Sequence, residues 1–170
     1  NIRDYKRIDV LIKAAQDTYE RTGKLFRVII AGNCNNWAKY QTLIKYPQLF
    51  DLRIKRVENE DIPNLFGESH YFVTPYQDIA QSGSVIVGIN YDCPIIASNL
   101  EAFKEYVVDG KTGYLIKPAD EEDLARVMTK IVSEKNADYN RMVEEIKGMK
   151  QCNFNTQTIL NKYIQFFDSL

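Results

Sequence analysis

The sequence predicts an α/β fold, a three-layer sandwich built on a mostly parallel sheet with extra C-terminal helices. Short apolar runs rich in β-branched residues alternate along the chain with segments of helical periodicity, the pattern of parallel strands joined by right-handed crossovers. The runs are also short and continuously apolar, as strands covered on both faces are. The 170 residues, 45% hydrophobic and 12% aromatic, suit one domain that buries about two-thirds of its unfolded surface.

Each element has a local cause. Ile8, Leu11, Ile12, Ala15 and Tyr19 recur at helical spacing, and Gly23 supplies a stop. "FRVIIAG" (26–32) follows as a buried strand ending in glycine. The order continues with a helix over 37–48, a strand over 51–57, a short helix over 62–69 and a strand over 71–76. Next come a helix over 83–92, a strand over 94–98, a short helix over 102–107, a turn at Asp109–Gly113 and a strand over 112–117. Asp120 is placed to cap a helix over 121–135, with Glu121, Glu122 and Asp123 at its positive end. Helices over 136–150 and 155–170 close the chain. No repeat, low-complexity tract or proline-rich linker interrupts it.

Charge is nearly balanced, 22 Lys and Arg against 23 Asp and Glu, which argues against a nucleic-acid partner. Cys34, Cys93 and Cys152 are widely spaced and His70 is the one histidine, so neither a disulfide framework nor a zinc site is expected. No apolar run approaches a membrane span and no signal peptide is visible. The expected location is the cytoplasm or the inner face of a membrane, with peripheral contact open to the full-length protein. The chain begins Asn1-Ile2-Arg3 without a methionine, and the expectation is a piece of a longer protein.

In a parallel α/β sheet, ligands sit beyond the carboxyl ends of the strands, where helix N-termini offer unpaired N–H groups and partial positive charge. After the strand over 71–76, the chain empties into Gln81-Ser82-Gly83-Ser84 just as a helix begins. Two readings fit this elbow: an anion cradle, most often for phosphate, or Ser82 as a simple N-cap with Gly83 in a tight helix–sheet contact. Arg3 and Lys6 fall between a presumed first strand and the first helix, at the same edge, either as phosphate partners or as solvated loop cations. Neither a Gly-x-Gly-x-x-Gly nor a Walker pattern is present, which argues against nicotinamide chemistry.

The stretch "PYQDIAQSGSVIVGINYDCPIIASNLEAFKEYVVDGKTGYLIKPADEEDLARVM" (75–128) resembles the C-terminal, donor-binding domain of family 4 glycosyltransferases, retaining enzymes of the GT-B architecture. Pro94-Ile95-Ile96-Ala97-Ser98, Glu105 and Asp109-Gly110 through Gly113 stand in register with the family pattern. "NIRDYKRIDVLIKA" looks like its "GR…KG" loop and following helix, and "FRVIIAG" like its second strand. The resemblance implies a Rossmann-like sandwich forming one half of a GT-B fold. Residues 1–170 would be the nucleotide-sugar domain, with the acceptor domain N-terminal to this chain.

The resemblance also implies roles. Lys6 matches the diphosphate-binding lysine, and Arg3 stands near the family arginine, whose aligned position holds Asn1; the glycine after the lysine is Arg7 here. Two family glutamates, one near the donor sugar and one at the ribose hydroxyls, fall on Ile79 and Val87. A subset of the family carries Tyr after the proline and Gln-Ser-Gly in the loop, as here, and in that version Gln81 with Ser82, Gly83 and Ser84 takes over diphosphate and sugar. Backbone groups of Gly32 and Ile62 would read the base, Tyr76 stands at the mouth of the elbow, and Glu105 matches a glutamate at a helix start, as a cap or a ligand contact. Lys6, Arg3 and Gln81 are the candidate catalytic residues. No cofactor and no metal are implied.

The implied activity is retaining hexosyl transfer from a UDP- or GDP-sugar to an acceptor glycan or lipid, as in polysaccharide biosynthesis, with the isolated fragment inactive. The alternative is a catalytically degenerate GT-B domain that serves as a binding or assembly module. His70 reads as structural or surface, Cys34 and Cys93 as small fillers, and the remaining tyrosines as packing.

Overall fold

The computed structural model describes residues 1–79, 83–134 and 137–153. The helix expected over 155–170 lies outside them, as do Gln81 and Ser82. Helix α1 (Ile8–Thr22) buries Val10, Leu11, Ile12, Ala14 and Ala15 and ends at Gly23, whose φ of 64° lets its N–H reach back to the Tyr19 carbonyl. Strand β1 (Val28–Ala31) follows.

The next helix is far shorter than the periodicity predicts: α2 spans Ala38–Gln41. Two causes compete with it. Pro47 disfavours helical backbone at Tyr46, which sits at φ −119°, ψ 76°. The buried side chain of Gln16 on α1 also captures the segment, donating to the Leu43 carbonyl and accepting from the N–H groups of Lys45 and Tyr46. A long-range side-chain bond thus replaces helical bonds, and no local pattern announces it.

Strand β2 (Phe50–Arg53) stops short of Val57, because the Lys55 N–H turns back to the Arg53 carbonyl. Helix α3 (Ile62–Gly67), strand β3 (Phe72–Thr74), helix α4 (Gly83–Asn90) and strand β4 (Ile95–Ser98) follow in the predicted order. The chain continues through α5 (Glu101–Lys104), β5 (Gly113–Ile116), α6 (Glu121–Ser133) and α7 (Ala137–Asn153). Asp120 caps α6 as expected, its carboxylate accepting from the Asp123 N–H at 2.9 Å.

Every strand pair is parallel. One apolar cluster fills the space between α1, α6 and one face of the strands, through Ile12, Ile30, Ile96, Ile116 and Leu124. A second lies under α4, α5 and α7 on the other face, through Val85, Ile95, Phe103 and Ile146. These are the three layers that the alternation of elements predicts. Hydrogen bonding nevertheless divides the strands into two sets, β1–β2 and β3–β4–β5.

Candidate functional site

The carboxyl ends of β1 and β3 open into a cleft of ≈1220 Å³ whose mouth gathers Lys6, Gly32, Ile62, Tyr76 and Ser84. Tyr76 organises this mouth. It follows β3 and Pro75, its ring is buried edge-on against Phe103 at 5.6 Å, and its carbonyl accepts from the Ser98 hydroxyl at 2.7 Å. Its hydroxyl lies 3.2 Å from Ser84 Oγ in the first turn of α4. Burial pushes the Tyr76 phenol above its ordinary range, so it stays protonated near neutral pH.

On the open side of Tyr76, Lys6 Nζ stands 5.7 Å from the ring centroid, within range of cation–π attraction. Tyr5 meets the same ring edge-on at 5.5 Å. Tyr76 therefore ties Lys6 to the N-terminal turn of α4, bringing a lysine cation and a set of helix-start amides to one place. Among the described residues, no carboxylate pairs with Lys6 or Arg3, whereas Arg7 is bound by Asp9 at 2.8 Å.

Arg7 occupies the position where the resemblance places a glycine, and its backbone is left-handed, φ 50° and ψ 51°. That region favours glycine. Arg7 holds it while its guanidinium bonds Asp9 and reaches the Gln77 side chain at 3.2 Å. The turn thus places a non-glycine residue in a conformation that glycine adopts more readily.

Gly32 adopts φ 142°, and Ile2 lies against it, with Cγ1 3.5 Å from the point a Cβ would occupy. Gly83 is exposed, and among the described residues a Cβ there would meet nothing within 4 Å. The tight helix–sheet contact considered for Gly83 belongs instead to Gly88, where a Cβ would lie 3.2 Å from the Phe72 ring. Val87 lines the cleft wall and Ile79 packs beside the second apolar cluster, so apolar side chains hold both positions matched to glutamates.

Arg3 is exposed and faces a smaller crevice of ≈470 Å³ beside the Lys6 site. There Asp4 is held by Lys39 and accepts from the Tyr40 hydroxyl at 3.2 Å. The Lys39 ammonium keeps the Asp4 carboxyl below the usual carboxylate range. Sequence reading missed Lys39 and Tyr40, for which the only signal is their place just after the "AGNCN" loop. Glu105 lines neither cleft; it ends α5, which starts at Glu101, so it caps the C-terminal side of that helix and not a helix start.

Parallel strands between two helix layers, with a cationic edge at the strand carboxyl ends, define a Rossmann-like domain of the kind that forms one half of a GT-B glycosyltransferase. The family model for glycosyl transferases group 1 matches residues 1–149, and the chain belongs to that family. No curated protein gives a significant match.

Among solved structures, a variant of S. aureus TarM in complex with fondaparinux, alpha-GlcNAc-glycerol and UDP superposes with a TM-score of 0.80 at 19% identity, over 98% of this chain and 34% of that one. Anabaena HepE in complex with UDP and glucose gives 0.74 at 16%, over 100% of this chain and 47% of that one. The C-terminal domain of the group 1 glycosyl transferase LpcC from Francisella tularensis gives 0.76 at 16%, over 91% and 83%. The chain thus spans a third to a half of TarM and HepE but most of the isolated LpcC domain.

Proposed function

We propose that this chain is the donor-binding domain of a retaining glycosyltransferase, which holds a nucleoside diphosphate sugar while a domain N-terminal to it presents a glycan or lipid acceptor. The observation that carries the reading is the Lys6–Tyr76–Ser84 arrangement, in which a cation unpaired by any described carboxylate and the first turn of α4 meet at the cleft mouth. A diphosphate there gains a point charge and helix-start amides together. Lys6, helped by Arg3 and Gln81, offsets the charge growing on the leaving diphosphate. Amides of Ser82, Gly83 and Ser84 hold the anion, and backbone groups of Gly32 and Ile62 border the base. UDP is the favoured nucleotide over GDP, since TarM and HepE were each crystallised with UDP. The chain alone transfers no sugar, because the acceptor side is supplied elsewhere.

The reading is tested by melting the domain against UDP, GDP and ADP, with the monophosphates as controls. A ligand at one hundred times its dissociation constant adds about 2.7 kcal/mol, a rise of roughly 5–11 °C for a domain of this size. UDP is expected to raise Tm, and Lys6→Ala to remove the rise without unfolding the domain. A second reading is favoured by Val87 and Ile79: with apolar groups at both glutamate positions, the domain is a non-catalytic binding or assembly module. That reading predicts no shift with any diphosphate at millimolar concentration, a result that would sink the first.

A further inference from the structure

The turn that carries Lys6 is short and cannot place itself. It spans Asp4–Lys6, between Arg3, extended at φ −131° and ψ 157°, and the left-handed Arg7. Within it the Lys6 N–H bonds the Arg3 carbonyl and the Arg7 N–H bonds the Asp4 carbonyl, each at 3.0 Å. Two local bonds do not offset the entropy of ordering an isolated turn in water. Contacts from elsewhere in the chain therefore decide where it stands.

Those contacts come from two sides. On the side of β3, the Gln77 N–H donates to the Tyr5 carbonyl at 2.8 Å, the Gln77 side chain accepts from Arg7 at 3.2 Å, and the Tyr5 ring meets Tyr76 edge-on. On the side of β1, the grip is a single carboxylate. Asp4 is bound by the Lys39 ammonium and accepts from the Tyr40 hydroxyl at 3.2 Å, and both partners lie on α2, just after the loop that follows β1. Tyr40 is the fixed end of this grip. Its side chain is buried in the first apolar cluster, 5.7 Å from the Trp37 ring, and Lys39 Nζ lies over its face at 4.7 Å. Lys39 and Tyr40 thus receive Asp4 as one unit, held by the core beneath them.

We propose that Asp4 is a positioning residue: through Lys39 and Tyr40 it fixes the Lys6 turn to α2, and so sets where the lysine ammonium stands at the cleft mouth. The inference rests on the reading of that mouth as a diphosphate site. Without the anchor, the turn keeps its grip on Gln77 and Tyr76 but is loose on the side of α2, and the ammonium meets the anion less often. The anchor also ties the loop after Gly32, which that reading sets beside the base, to the cation that meets the diphosphate.

Charge and position predict opposite signs here. Taking a carboxylate away from a polyanion strengthens binding by Coulomb's law if charge is all that Asp4 supplies. If Asp4 positions Lys6, its removal weakens binding. The test titrates UDP into the wild-type chain and into Asp4→Ala, Asp4→Asn and Tyr40→Phe by calorimetry, with thermal melts and NMR relaxation of the backbone amides alongside. Asp4→Ala is expected to weaken UDP roughly fivefold, as the loss of one hydrogen bond does. It should also lower the amide order parameters of Tyr5 and Lys6 from about 0.85 toward about 0.6. Its Tm should stay close to that of the wild type, because the Asp4 side chain is 84% exposed and exposed ion pairs contribute little to stability. Asp4→Asn keeps an oxygen for Lys39 and Tyr40 and should recover most of the affinity. Tyr40→Phe keeps the buried ring, removes the hydroxyl alone, and should lose about half as much as Asp4→Ala on a logarithmic scale.

The proposal is overturned if Asp4→Ala binds UDP as tightly as the wild type or more tightly, if Tyr5 and Lys6 stay as rigid as before, or if Asp4→Asn is as weak as Asp4→Ala. The two readings fail in different ways. If the wild-type chain binds no UDP, the donor reading falls and this inference falls with it. If the wild type binds and the Asp4 variants bind equally well, the donor reading stands and the anchor alone falls.

Discussion

At Gly113 the β carbon of an alanine would lie 1.9 Å from the Ile95 carbonyl oxygen and 2.8 Å from its carbonyl carbon. The neighbour is strand backbone, which cannot swing aside as a flexible side chain does. Gly113→Ala should therefore destabilise the domain by about 3 kcal/mol, read as a lower urea midpoint at unchanged slope. The sequence shows this glycine as the end of a turn; the reason it is required is the close approach of β4 to β5. Gly83 and Gly88 make the same point in opposite senses, since only the second has the sheet against it. Lys6 is singled out in the sequence by the motif it matches. No such motif marks Lys39 and Tyr40, because their partner Asp4 is far away in sequence.

The elements divide according to how local their causes are. Helix α6 carries its own start signal, and Asp120→Ala should cost about 1 kcal/mol through loss of the bond to the Asp123 N–H. The matching measurement is a thermal melt, in which Asp120→Asn should recover most of the loss. Helix α1 likewise states its own face and its own stop. Helix α2 does not: apolar spacing over 37–48 suggests a longer helix, yet a buried Gln16 side chain and Pro47 take the backbone elsewhere. The strands were placed correctly but ended early, as at Lys55, because the last pairing residue is set by the neighbouring strand and not by hydropathy.

For the whole molecule, surface charge links the layers. Arg53 on β2 bonds Asp51 at 2.8 Å and Glu68 after α3 at 2.8 Å, with Arg27 beside them. The Arg53 guanidinium holds the Asp51 and Glu68 carboxyls below their usual range. Their folded values are thus depressed, so the stability they contribute is present above the unfolded carboxylate value near about pH 4 and is lost as pH falls through the lower folded values. Tm should drop between about pH 5 and about pH 2, and Arg53→Met should flatten part of that drop. Added salt should weaken the effect in part, since Glu68 is exposed and Asp51 and Arg53 are half-buried. No helix among the described residues is long and apolar enough to cross a membrane.

The sequence by itself determined the alternation of strand and helix, the parallel character of the strands, the cap of α6 and the motifs that place the chain among group 1 glycosyl transferases. All of these are written in nearby residues, through hydrophobic period, turn chemistry and spacing. Only the tertiary structure decided which strands share hydrogen bonds, that β1 and β3 open into one cleft, and that Tyr76 joins Lys6 to α4. Those relations are between backbone groups and side chains brought together from distant parts of the chain, and strand pairing leaves no mark on the hydropathy of either partner.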